Sequence, residues 1–326
     1  MADTHDLQNR YSRPSVLEMF GLSPLRERAR QAAVVFRGAE HVPPAQYDLS
    51  SLRMLRPRIS LPLWAGRFAI PRKAILSLLF NHKQTDIARG WSVKRTQVED
   101  FRGKGLTYDS HNGTDFSIPV GTRVTAAAPG RVVRVVSEFN RGGLKVAIDH
   151  GDGLITSSAH LARAFVKEGD LVKRGETIAL SGYSGLDGFT TFPWGVPHVH
   201  FNTWLDGTPV DPFARVSSGE ASLWRGGMPT PEKEGTDMEG YAPSTFDEDA
   251  VTRIVSACKS EKVSRWLENV SSLEGRGNYL VFEMNYYPTR FPVVRNPYGA
   301  RHERTPRLSL PFRPEDVEGC VFGDEI

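Results

Sequence analysis

Between residues 101 and 214, short Val/Ile/Leu runs alternate with glycine-bearing turns. TRVTAAAPGRVVRVVSE, GGLKVAIDHGDGLITSS and AFVKEGDLVKRGETIALSG follow one another almost without a break. Many short apolar runs at close spacing, each closed by Gly or Pro, specify strands joined by tight turns. The stretch is therefore expected to be a mainly β core, an antiparallel barrel or sandwich.

The flanks differ in composition. Residues 1–104 are expected to be helical and irregular, with a helix from Ala74 to about Phe80. Residues 1–100 carry 16 Lys/Arg against 9 Asp/Glu, a local +7 in a chain of net charge +3. Residues 215–243, SSGEASLWRGGMPTPEKEGTDMEG and its surroundings, have the composition of a linker. Residues 244–326 are expected to be α+β. Thr245 and Glu248 form a capping-box pattern, and Val251, Ile254, Val255 and Cys258 follow at helical spacing. NYLVFEMNYY and RLSLPF read as strands.

Several function classes are disfavoured at this stage. The mild basicity lacks a Lys/Arg run interleaved with aromatics, so no nucleic-acid partner is expected. Cys258 and Cys320 lie outside any CxxC pattern, which argues against a cysteine metal site. The first twenty residues have no basic start followed by an apolar run, so no secretory signal is expected. Arg67, Arg72, Lys73, Pro62 and Pro71 interrupt the most apolar stretch, residues 60–80, so no transmembrane segment is expected. With neither feature the chain reads as cytoplasmic, unless a dedicated route exports it or lysis releases it.

Five of the nine histidines, His111, His150, His160, His198 and His200, fall inside the β-rich region. The sequence HVH in a strand sends both rings to one face. In SHNGTDF, His111 stands four residues before Asp115. Imidazole and carboxylate are good zinc ligands. Two from this segment and a third from HVH would leave one tetrahedral position open, as a catalytic zinc requires. His150, in the turn DHGDG, reads as structural.

The order of these elements resembles the lysostaphin- or LytM-type zinc metallopeptidases, which cut peptide crosslinks in bacterial cell walls. HNGTDFSIPVGTRVTAAAPGRVV resembles the family's HxGxD entry and the strand and turn after it. VAIDHGDGLITSSAHL resembles its strand pair ending in HL, and VKEGDLVKRGETIALSGYSG its next hairpin. HVHF and DGTPVDP resemble its HxHF and terminal VDP. The resemblance covers residues 105–214. It implies a β-sandwich metallopeptidase domain with one Zn2+, held by His111, Asp115 and His200. His160 and His198 match the two non-ligand histidines, one carrying the proton and the other stabilising the oxyanion. The implied partner is a peptidoglycan peptide substrate and the implied activity is endopeptidase.

The chain departs from the pattern in places. Ser158 stands where relatives often have an aromatic residue two before the HL histidine, and Asn202 follows HVHF where Glu is common. The loop 181–197 is long and carries Tyr183, Phe189, Phe192 and Trp194, which either line a substrate groove or cover the sheet. Two other readings are of different classes. One is a non-catalytic relative acting as a binding or activator module for cell-wall hydrolases. That class usually lacks one or more of the five positions, and all five are present here. The other is a lipoyl- or biotinyl-like carrier, which would need a lysine at a hairpin tip and leaves the histidines unexplained.

Overall fold

The computed structural model describes residues 11–235, 238, 240–292 and 296–326. The first ten residues, where no secretory signal is expected, lie outside these. So do residues 236, 237 and 239 of the linker-like stretch, and residues 293–295.

Helices α1 (Val16–Phe20), α2 (Leu25–Arg37) and α3 (Pro57–Trp64) precede strand β1 (Lys73–Leu78). Then come β2 (Thr114–Ser117), β3 (Arg123–Thr125), β4 (Gly130–Glu138), β5 (Gly143–Asp149), β6 (Leu154–Ala164), β7 (Leu171–Val172) and β8 (Thr177–Ser181). A short helix α4 (Leu186–Thr191) leads into β9 (His198–Leu205) and β10 (Thr208–Pro209). Helices α5 (Glu248–Ser256), α6 (Glu261–Glu268) and α7 (Leu273–Tyr286) and strand β11 (Gly319–Phe322) complete the order. The core is mostly β and largely antiparallel, with helices on its flanks. The main path runs β11-β1-β2-β9-β6-β5-β4-β7, with β3-β8 branching from β6. Among the described residues no helix is long and apolar enough to cross a membrane.

Four local expectations are corrected. Residues 73–78 form a strand, not a helix. Ala74 and Leu76 enter the main core, while Ile75 packs with Ile59 and Leu63 of α3. A strand buried on both faces is apolar without alternation and mimics a helical run. Conversely, NYLVFEMNYY lies in helix α7, not in a strand. Leu280 through Tyr286 are all buried, so no polar stripe marks the helical period. The cap of α5 is Asp247, whose side chain accepts from Ala250 N, rather than Thr245. RLSLPF makes isolated bridges, Leu308 to Trp224 and Phe312 to Val124, rather than a named strand. Leu223 and Trp224, within the linker-like stretch, are buried in the main core.

The faces of the sheet position the site. Along β9, Val199 and Phe201 point into the main core. By alternation His198, His200, Asn202 and Trp204 point the other way, and Trp204 packs on Phe282 and Tyr286 of α7. The carboxy-terminal helices thus cover the far end of the face that bears the histidines.

His150 is structural, as its turn suggests. It is fully buried; Nδ1–H donates to Pro129 O (2.9 Å), so Nε2 accepts from the Thr156 hydroxyl (2.8 Å). Burial pushes its pKa down from 6.5 to about 3. A histidine held neutral in the fold binds a proton in the unfolded chain first. Its contribution is therefore intact above pH 6.5 and is lost progressively as pH falls toward about 3. In the metal-free protein, urea unfolding between about pH 6.5 and 4.5 should show the wild type losing about 2–3 kcal/mol more than His150→Gln. Equal losses in the two proteins would refute this account.

Candidate metal centre

Register brings the site together. β2 pairs with β9 so that Asp115 lies opposite His200 and Ser117 opposite His198. β6 pairs with β9 so that Ala159 lies opposite His200. β6 carries an irregularity between Ser158 and Leu161, and His160 within it adopts φ +60. This left-handed residue lets β6 present His160 beside the HVH strand instead of following simple alternation.

Three ligand atoms converge. His111 Nδ1–H donates to Leu79 O (2.6 Å), which leaves Nε2 as the inward atom. That Nε2 lies 3.1 Å from Asp115 Oδ1 and 3.2 Å from His200 Nδ1, and His200 Nδ1 lies 2.7 Å from the same oxygen. Zinc bonds of 2.0–2.2 Å in a tetrahedron give edges of about 3.3–3.6 Å, so the triangle needs only slight opening to seat that ion. The triad is buried, with side-chain exposures of 0%, 2% and 14% for His111, Asp115 and His200.

The electrostatics call for a positive charge at this point. With its N–H spent on Leu79, a neutral His111 would set a lone pair against a carboxylate lone pair. Burial works against charge on His111, but the Asp115 carboxylate outweighs it and raises its pKa. Burial likewise opposes the Asp115 charge, and His111, His198 and His200 override it, holding the acid well below its usual range. Burial pushes His200 down. A proton or a metal cation satisfies this arrangement, and an empty neutral triad does not.

His160 and His198 stand beside the triad. His160 Nδ1–H donates to Ser184 O (2.8 Å) and His198 Nδ1–H to Val196 O (2.8 Å), so each presents Nε2. Their ring centroids are 4.8 Å apart, and His198 Nε2 is 3.6 Å from Asp115 Oδ2. Burial, reinforced by the neighbouring His198, holds His160 well below its ordinary pKa and so neutral at pH 7. The His160 tether depends on the N-terminal region. Tyr183 N donates to Met19 O and Gly185 N to Phe20 O, at the end of α1, which fixes the loop that carries Ser184. All five histidine and aspartate positions singled out in the sequence lie in this one cluster.

Several neighbours had no signature in the sequence. The orienting groups Leu79 O, Ser184 O and Val196 O are backbone atoms, which residue identity does not reveal. Tyr108 packs on His111 (centroids 4.7 Å), and Tyr183 packs on both His160 (5.3 Å) and His198 (4.8 Å). Burial raises both phenols, so they remain O–H donors. Ser158 pairs with Phe201 and so faces the core, away from the histidines. Asn202 Nδ2 donates to Asn112 O (3.0 Å), and the Tyr286 hydroxyl donates to Asn202 Oδ1 (3.3 Å), joining α7 to the floor of the site. Of the loop aromatics, Tyr183 is buried at the site. Phe189, Phe192 and Trp194 are about half exposed, with Phe189 and Phe192 edge-on to Phe20.

Comparison with known proteins gives a consistent set. The family described as Peptidase family M23 matches residues 109–212. "Peptidoglycan DD-endopeptidase ShyB" of Vibrio cholerae serotype O1 is 40% identical over 102 residues, covering 31% of this chain and 22% of the relative. "Lysostaphin" of Staphylococcus simulans is 30% identical over 172 residues, covering 48% and 33%. An "Uncharacterized metalloprotease" of Haemophilus influenzae is 36% identical over 124 residues, covering 38% and 24%. This chain therefore spans only about a fifth to a third of the length of these relatives. The solved catalytic domain of lysostaphin aligns at 32% identity over 29% of this chain and 67% of its own, with a TM-score of 0.26.

Proposed function

Because residues 109–212 of this chain belong to peptidase family M23, we propose that it is a zinc-dependent endopeptidase acting on peptidoglycan crosslink peptides. In this reading the catalytic unit is 105–214, with residues 1–104, 215–243 and 244–326 as its flanking and supporting parts. The observation that carries the reading is the triangle of His111 Nε2, Asp115 Oδ1 and His200 Nδ1, with edges of 2.7–3.2 Å. Two imidazole nitrogens and one carboxylate oxygen suit zinc and leave one tetrahedral position open.

Bound there, zinc supplies Lewis-acid polarisation of a scissile carbonyl and acidification of water. The chain's own residues do the rest. His160 Nε2, neutral at pH 7, takes a proton and returns it to the leaving amine. His198, whose Nδ1–H is spent on Val196 O, donates from Nε2 to the developing oxyanion in its doubly protonated form, at the rim of the Asp115 carboxylate. The backbone bonds to Ser184 O and Val196 O fix both tautomers before substrate arrives.

The test is zinc content of the purified chain, measured with release of new amino groups from purified peptidoglycan. About one zinc per chain with amine release that a chelator removes is the expected result. Zinc without release would point to another peptide as substrate. Neither zinc nor release would favour a binding or activator module and remove the enzyme reading.

A further inference from the structure

The β4–β5 hairpin carries a cation without a salt-bridge partner next to this site, on which the Asp187 and Glu138 carboxylates act only at longer range. Gly142, in the turn, accepts through its carbonyl from His160 N (2.7 Å), so Arg141 sits one residue from a direct contact with that histidine. The Arg141 guanidinium lies over the Trp91 ring, 4.3 Å from its centroid. Trp91 is held beside His111, because Ser92 N donates to Ser110 Oγ and Ser110 N to Ser92 O (both 3.1 Å). Arg141 and Trp91 thus join the hairpin wall of the site to the wall that precedes β2.

Among the described residues no carboxylate comes within 4.0 Å of this guanidinium, and it meets no hydrogen-bond acceptor. The adjacent acid is already used. Glu138 Oε2 accepts from Lys145 Nζ (2.7 Å) and Glu138 Oε1 from the Tyr287 hydroxyl (2.8 Å). Arg28, Arg102, Arg163 and Arg290, by contrast, are each hydrogen-bonded or paired. Arg141 borders a recess walled by Val34, Val42, Pro43, Trp91 and Asn140. In so apolar a setting an incoming anion would gain more than in open water. Burial brings the guanidinium down only to about 10, so it remains charged at neutral pH.

We propose that Arg141 is the carboxylate anchor of the substrate site, gripping a free carboxylate near the scissile bond and selecting peptides that carry one. The proposal rests on the peptidase reading above for the identity of the site. The carboxylate can come from a peptide C-terminus or from an acidic side chain, and Arg141 offers the same fork to both.

The experiment uses the zinc-loaded full chain and three probes in isothermal titration. These are the stem pentapeptide L-Ala-D-Glu-L-Lys-D-Ala-D-Ala as free acid, its C-terminal amide, and the amide with the D-Glu carboxyl also blocked. Wild type should bind the free acid at least ~10-fold more tightly than the fully blocked form, an ordinary loss for an unpaired charge-assisted contact. The intermediate form tells which carboxylate is gripped. R141M should bind all three with one common affinity, and R141K should keep part of the preference. A merely structural role would weaken all three probes alike in both variants. Equal affinities in wild type, or a preference that survives R141M, would overturn the proposal. Amine release from purified peptidoglycan followed in parallel keeps the two readings apart. Acid-selective binding without release counts against the crosslink-endopeptidase reading and keeps the anchor, and release without selectivity does the reverse.

Discussion

His160→Ala should retain about one zinc per chain and lose turnover by roughly 10²–10⁴-fold, the usual worth of a positioned proton carrier. His111→Ala should lose zinc and activity together. The difference follows from where each ring points. The His111 Nε2 forms one corner of the ligand triangle, and its Nδ1 is committed to Leu79 O. The His160 ring lies 6.3 Å from that of His200, and its own Nδ1 is committed to Ser184 O. Removing it empties the space beside the triad without taking a corner away. Zinc content and peptide hydrolysis measured on both variants check this. His160→Ala turning over within tenfold of wild type would show that another group moves the proton.

Gly113→Ala should weaken zinc binding by 10–100-fold or more without touching a ligand. A Cβ at this position would lie 2.7 Å from His200 Nε2, 2.8 Å from His200 Cε1 and 2.9 Å from Phe201 O. The last of these is backbone in the centre of the sheet and has little room to move, so the imidazole is displaced. A supporting residue that orients a ligand typically accounts for one to two decades of metal affinity. Forcing a methyl into a packed site also costs the metal-free fold about 1–3 kcal/mol. Competition with a chromogenic chelator gives the first number and urea unfolding of the apoprotein the second. Unchanged affinity in Gly113→Ala would mean that the His200 ring has freedom the packing does not suggest.

Much of this centre was legible in sequence because strand periodicity is rigid. HVH places two rings on one face whatever lies around it, and the HxGxD segment holds His111 and Asp115 close together on one loop and strand. The glycine between them forms the floor under His200. Elements with weak local signals were misread. Lys73–Leu78 is buried on both faces and has no alternation, and α7 is buried around most of its circumference and has no stripe. Pairings across long separations were invisible, since nothing near Lys73 announces Gly319 as its neighbour. Arg141 was also silent. Its meaning comes from the saturation of Glu138 by Lys145 and Tyr287, and only the fold brings those groups together.

The parallel pairing of β1 with β11 places a time requirement on biosynthesis. Lys73 meets Gly319 and Leu76 meets Phe322, so β1 leaves the ribosome 246 residues before its partner. At 5–20 residues per second the outer edge of β1 stays unpaired for on the order of 10–50 s, with Asp115 on β2 only one strand away. Bare strand edges invite pairing with other chains. Nascent chains arrested before Gly319 should be cut by protease near β1 and captured by holdase chaperones, and both sensitivities should vanish once residue 322 has emerged. The outer edge of the strand that flanks Asp115 is thus sealed only after Gly319 to Phe322 have emerged, well after His200 has been made.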